Sequence, residues 1–322
     1  MTHFTRRGLE LVPADLAWEG WLPRMADAGL NLLVVHEPHS ARALADFARS
    51  PRGGALYAAS SRVGIDLEWA PHALRDLLPR EEFAAHPDWF RGNEAGERVP
   101  DWNLCPSSAG AREVVAASAA ALARQLVPTT HRYYFWADDG RPWCHCPRCA
   151  GLCAADQNLL VMNGVLDGVR TVDGQARLSD LAYLQTFAPP ESVRPAAGLF
   201  LECAPIQRCP LHALDDGGCA TNRAELARLR HLLAGWSILD GAQVLEHWLD
   251  ESWFWRAAGR PEDLPRLPFC EDVLRRDLAL YAELGFRSVV SYAVMLGRDY
   301  VARHGEPPVK QYGEATLATA SL

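Results

Sequence analysis

The stretch Arg132-Tyr133-Tyr134-Phe135-Trp136-Ala137-Asp138-Asp139-Gly140 decides how this chain is read. Its first six residues are dominated by aromatic side chains, the composition of a β-strand. Two adjacent carboxylates and a glycine then end the run. Short apolar runs recur on either side of it. Upstream are Asn31–His36, Val63–Trp69 and the short Trp102–Cys105. Downstream are Arg177–Tyr183, Gly198–Cys203, Gln243–Trp248 and Arg287–Tyr292. With the opening stretch these make eight runs.

The intervening segments carry helical signals. Ala109–Leu126 is alanine-rich, with Ser107 or Ser108 as N-cap. Asn222 and Glu225 stand at capping-box spacing at the head of Asn222–Trp236. Phe269–Leu284 stops at Gly285, a C′ glycine. Strands alternating with helices predict a parallel α/β sheet. No glycine-rich dinucleotide fingerprint follows the first run, which argues against a doubly wound sheet. The expected fold is therefore a single (β/α)₈ TIM barrel, one domain over residues 1–322.

Bulk composition removes several function classes. The 32 Lys and Arg against 40 Asp and Glu leave a net charge of −8, which disfavours a nucleic-acid partner. No apolar run is long enough to span a membrane. The start, Met1 to Arg7, lacks the apolar core of a signal peptide, so a cytoplasmic protein is expected. Nine cysteines without an export signal suit reduced thiols or a metal cluster better than disulfides.

A barrel of this kind works at the C-terminal ends of its strands. The expected catalytic groups are Asp138, Asp139 and Glu202. Adjacent carboxylates repel, so one of the Asp138-Asp139 pair should hold its proton more tightly. The same pair before Gly140 is also a turn composition, but its place at a strand end favours function. Glu202 lies in an apolar run and reads equally as a proton-transfer group or as an interior glutamate paired with Arg208. Expected substrate contacts are Glu68, His72, Asn103, Trp136, Tyr183, Arg208, Trp248, Asp250 and Tyr292. Acids, amides and aromatic faces on one rim suit a saccharide.

Cys144-His145-Cys146-Pro147-Arg148-Cys149 forms a dense thiol string, with Cys153 beyond it. Cys144, Cys146, Cys149 and Cys153 are the expected ligands of a structural zinc. His145 or a distant cysteine is an alternative fourth ligand, and reduced cysteines packing a loop are the alternative to metal.

Several strings occur in one order: Gly64-Ile65-Asp66-Leu67-Glu68, His72-Ala73-Leu74, Leu78-Pro79-Arg80-Glu81-Glu82-Phe83, His86-Pro87-Asp88-Trp89-Phe90, Asn103-Leu104-Cys105, and Asp138-Asp139-Gly140 followed by the thiol string. This series resembles a large group of uncharacterised bacterial barrel proteins, a domain of unknown function placed beside the glycoside hydrolases and related to hexosaminidase and α-glucuronidase barrels. The resemblance covers roughly residues 25 to 312. Asp138-Asp139 also resembles the catalytic aspartate pair of the O-GlcNAcase and hyaluronidase-like family, at the same fourth strand. That resemblance implies that Asp138 orients a substrate acetamido group and Asp139 is the general acid.

The leading expectation is a glycosidase acting on a small or processed saccharide, an N-acetylhexosaminide among the candidates, with no cofactor required. A carbohydrate-binding barrel without catalysis is the alternative. A metal-dependent hydrolase is a third reading. It is weakened because His36-Glu37-Pro38-His39 lacks the His-x-His of amidohydrolase barrels.

Overall fold

The computed structural model describes residues 3–236 and 240–319. Eight parallel strands lie in the order β3-β2-β1-β8-β7-β6-β5-β4. They are β1 (Arg6–Leu11), β2 (Leu32–Glu37), β3 (Asp66–Pro71), β4 (Arg132–Tyr133), β5 (Arg177–Ala182), β6 (Leu199–Cys203), β7 (Gln243–Glu246) and β8 (Ser288–Tyr292). A parallel bridge between His72 and Trp136 joins the two end strands and closes the ring. The fold is thus a (β/α)₈ TIM barrel with helices outside it.

One strand differs from expectation. Trp102–Cys105 is not a strand but a bend, in which Asn103 takes a φ of 44°. An asparagine tolerates that left-handed conformation, whereas a strand cannot contain it. The eighth strand is instead Arg6–Leu11, whose charged Arg-Arg-Gly-Leu-Glu-Leu sequence hides its period of two. The two errors cancel in the count, so Arg132 still opens the fourth strand.

The expected helices are present with shifted ends. Ala109–Ala123 follows Ser108, which makes no side-chain cap bond. The seventh-strand approach helix begins at Ala220, so Asn222 lies inside it and forms no capping box. Its side chain instead binds the backbone of Cys209, His212 and Ala213. Gly285, with φ 92°, ends the Glu271–Glu283 helix as expected.

Strand alternation sorts the core into two layers. Leu9, Leu11, Leu33, Val35, Leu67 and Val289 face outward and pack under the helices. Leu32, Val34, Tyr134, Trp136, Phe200 and Val290 fill the barrel interior. The interior also holds charge, and a bonded chain satisfies it. Arg6 donates to Glu68 at 2.5 Å, and the Tyr134 hydroxyl donates to the other Glu68 oxygen at 2.7 Å. Gln243 accepts from Ser288 at 2.7 Å and donates to Glu202 at 2.7 Å. Ser179 and Trp136 donate to the remaining Glu202 oxygen at 2.5 and 3.1 Å. Low dielectric makes each such bond strong and each broken one costly.

Two measurable consequences follow from this chain. Glu68→Ala removes the acceptor of Arg6 and Thr130 and the nearer acceptor of Tyr134, and should cost about 3–5 kcal/mol in urea unfolding. A loss below about 1 kcal/mol would show that the buried pair is not structural. Burial raises the pKa of Glu202 from 4.5 to about 7. Its contribution to stability is therefore complete below about pH 4.5 and is lost as pH rises through about 7. Between pH 5 and 8 the stability of Glu202→Gln relative to the natural protein should improve, by up to about 3 kcal/mol. A pH-independent difference between the two would contradict this origin.

Candidate functional site

The C-terminal ends of the strands open on a cavity of about 490 Å³. Each strand end contributes to it. Strand β1 supplies Glu10, β2 His36, β3 His72, β4 Trp136 and Asp139, β5 Tyr183, β6 Ala204, β7 His247 and Asp250, and β8 Tyr292. Trp253 and Arg256, from the helix that starts at Glu251, complete one wall. Alternation explains the choice on β7: Glu246 points out into the helical layer, so His247 points in.

An aromatic arc lines this cavity. His72 and Trp136 rings lie 5.4 Å apart, Trp136 and His36 5.5 Å, and His36 and Tyr292 5.4 Å. Tyr292 to His247 and His247 to Trp253 are each 5.6 Å. The histidines are neutral. His36 Nδ1 lies 2.7 Å from the Ala70 carbonyl and His72 Nδ1 2.5 Å from that of Ala137. A carbonyl only accepts, so both Nδ1 atoms carry the proton and each Nε2 is left as an acceptor. Burial lowers the pKa of His36 to about 3 and also lowers those of His72 and His247.

Three carboxyl groups border the same space. Asp139 is exposed and stands near the Tyr183 hydroxyl, whose pKa is raised by burial first and then by Asp139. Asp250 caps the helix after β7, accepting from the Ser252 amide at 2.9 Å. Glu10 is buried on the floor, and its Oε2 has no hydrogen-bond partner among the described residues. Desolvation, with Glu202 and Glu68 nearby, pushes its pKa well above the usual range. The Tyr292 phenol is likewise raised, by burial first and then by Glu10, Asp250, Asp15 and Asp139.

The structure brings six of the twelve expected catalytic and substrate residues to the cavity: His72, Trp136, Asp139, Tyr183, Asp250 and Tyr292. The other six lie elsewhere, each for a physical reason. Asp138 turns away from Asp139; its oxygens accept the backbone amides of Arg75 at 3.1 Å and Asn103 at 2.6 Å. Its pKa is raised, and the leading cause is burial. Asn103 returns a bond to the Asp138 amide at 3.1 Å and donates to the carbonyls of Arg141 and Pro142. Its side chain is fully used. Glu68 and Glu202 sit lower in the barrel, in the bonded chain described above. Arg208 does not pair with Glu202. It binds Glu246 and Asp277, each at 2.7 Å, in the helical layer. Trp248 donates to the same Asp277 at 2.9 Å.

Glu10, His36 and His247 are cavity groups that were not among the expected contacts. Glu10 was hidden because its strand was not recognised. The signal was the alternation Gly8-Leu9-Glu10-Leu11, which puts Glu10 on the inner face once Leu9 and Leu11 are given to the outer one.

The thiols regroup as well. Cys105, Cys144, Cys146 and Cys149 are buried together, with their sulfurs within 4.8 Å of one another. Cys153 is not among them. It caps the Ala154–Arg170 helix, its Sγ accepting from the Asp156 amide. Cys105 takes its place because the Asn103–Asp138 bonds bring the two loops together.

No helix among the described residues is long and apolar enough to cross a membrane. No curated protein matches the sequence. Solved structures with the same fold are glycoside hydrolases. A family 42 β-galactosidase from G. stearothermophilus has a TM-score of 0.55 at 12% identity, covering 98% of this chain and 57% of that one. An endo-β-mannanase/endo-β-glucanase from Prevotella bryantii has a TM-score of 0.55 at 13% identity, covering 99% and 49%. This chain thus spans about half the length of these two proteins. A family 5 glycoside hydrolase from Prevotella bryantii B14, solved with a xyloglucan tetradecasaccharide, has a TM-score of 0.55 at 14% identity, covering 96% and 95%. At such identities the likeness establishes the barrel. The profile of a family described as Domain of unknown function (DUF4838) matches residues 47–248, well over half of the 322-residue chain, and the chain belongs to that family.

Proposed function

We propose that this protein is a glycoside hydrolase that cleaves a small or processed saccharide in the rim cavity. The observation that carries this reading is the convergence of Asp139, Asp250 and Glu10 on one aromatic-lined cavity at the C-terminal face of the barrel. Glycoside hydrolysis commonly uses two carboxyl groups flanking the scissile bond. Asp139 follows β4 and Asp250 follows β7, three strands apart around the ring, so a sugar seated in the cavity lies between them.

In this mechanism Asp139, beside the Tyr183 hydroxyl, donates a proton to the leaving glycosidic oxygen as its bond to the sugar breaks. Asp250 supplies the opposing carboxylate, held in place by the Ser252 amide. Glu10, buried and with a free oxygen, binds a sugar hydroxyl from below. The Nε2 atoms of His36 and His72 accept from further hydroxyls, and Trp136, Tyr292 and Trp253 offer apolar walls to the ring. A substrate-assisted route needs a second free carboxylate beside Asp139. Both Asp138 oxygens are held by backbone amides, which favours the ordinary two-carboxyl route.

Turnover of aryl glycosides, a panel that includes N-acetylhexosaminides and uronides, tests the reading. Asp139→Asn should lower kcat by about 10²–10⁴-fold with the melting temperature retained. Asp250→Asn should also lose turnover, at a stability cost of no more than about 1 kcal/mol for the altered cap. Full activity in Asp139→Asn sinks the acid role. A saccharide that raises the melting temperature of the natural protein without being cleaved transfers support to a non-catalytic sugar-binding barrel.

A further inference from the structure

Four sulfur atoms from two distant segments meet in a buried pocket beside the rim. Cys105 follows the long excursion between β3 and β4, while Cys144, Cys146 and Cys149 belong to the loop after β4. Cys105 Sγ lies 3.7 Å from Cys146 Sγ and 3.8 Å from Cys149 Sγ. A disulfide would require about 2.05 Å. A tetrahedral zinc with Zn–S bonds of about 2.3 Å requires an S···S edge of about 3.8 Å. The spacing therefore fits one ion, and it leaves no room for an iron–sulfur cluster among the same sulfurs.

The surroundings suit thiolates. The Gly92 amide donates to Cys144 Sγ at 3.1 Å, and the Ser107 hydroxyl lies 3.2 Å from Cys149 Sγ. Arg98 approaches Cys144 Sγ at 3.8 Å and Arg148 approaches Cys105 Sγ at 4.0 Å. Four thiolates around a divalent ion carry two net negative charges, and two guanidiniums stand against them. Outer contacts of this kind orient metal ligands and tune their charge.

We propose that Cys105, Cys144, Cys146 and Cys149 hold one structural zinc ion that buckles the 72–108 excursion to the loop after β4. The buckle lies two residues from Asn103 and six from Asp138, the two residues that clip the same loops together. It thereby fixes the segment that presents Asp139. A closed set of four sulfur ligands leaves no open position, so the ion is structural and takes no part in the cavity's chemistry.

Metal analysis of the full chain, purified without chelator, tests this directly. One zinc per chain is expected, and substitution by Co²⁺ should give the absorption of a tetrahedral tetrathiolate. The four ligand cysteines should resist Ellman's reagent until a mercurial releases the metal, in addition to Cys203, which burial alone protects. Cys105→Ser should reduce bound zinc to background, whereas Cys153→Ser should keep the full complement. If Cys105→Ser fails to fold, the Co²⁺ spectrum and thiol protection of the natural protein still decide. Absence of metal together with no tetrathiolate Co²⁺ spectrum overturns the proposal. Iron in place of zinc overturns the choice of ion, and loss of zinc in Cys153→Ser with retention in Cys105→Ser overturns the ligand set.

Discussion

Closing eight strands into a ring puts the inward side chains in an enclosure, and any charge there must find a partner. The lower barrel does this for its two glutamates, through Arg6, Tyr134, Gln243, Ser179 and Trp136. Each carboxylate oxygen in that chain accepts at least one bond. One layer higher the rule is broken. Glu10 is equally buried, yet one of its oxygens has no partner among the described residues, and it faces the cavity. Desolvation pushes its pKa well above the usual carboxylate range. Glu10 thus presents an unpaired oxygen to the cavity.

The same contrast separates the two adjacent aspartates. Asp138 is locked by the Arg75 and Asn103 amides, and Asp139 is exposed to the cavity. Adjacent positions on an extended chain point in opposite directions, so one acid serves the architecture and leaves its neighbour available. Gly140, with φ 59°, then lets the chain turn sharply toward the thiol loop. Asn103 is the other half of the lock. Its left-handed backbone presents an amide to Asp138, while its side chain spans to Arg141 and Pro142.

The helical layer repeats the theme away from the cavity. Arg208 neutralises Glu246 and Asp277 together, and Trp248 and Tyr281 complete the set. Two acids and a base buried between β7 and the Glu271–Glu283 helix fix the spacing of those elements. Glu246 faces this cluster and His247 the cavity, so one strand serves both layers.

Seven of the eight strands were legible in the sequence, because β-branched, aliphatic and aromatic runs of six or seven residues identify themselves through local pattern alone. The barrel and its working face followed from their alternation with helices. The sequence also placed Asp139, His72, Trp136, Tyr183, Asp250 and Tyr292 at or just beyond strand ends, and the structure brings all six to the rim cavity. Three things needed the tertiary structure. Recognition of Arg6–Leu11 as the eighth strand depended on its pairing with β2 and β8, because its own charges mask it. The inward or outward direction of Glu68, Glu202, Asp138 and Trp248 depended on register and on partners far along the chain. The replacement of Cys153 by Cys105 depended on a contact across 39 to 44 residues of sequence. Local pattern records which conformation a segment prefers, whereas a satisfied buried charge or a tetrahedral ligand set is a relation between segments and exists only once they are brought together.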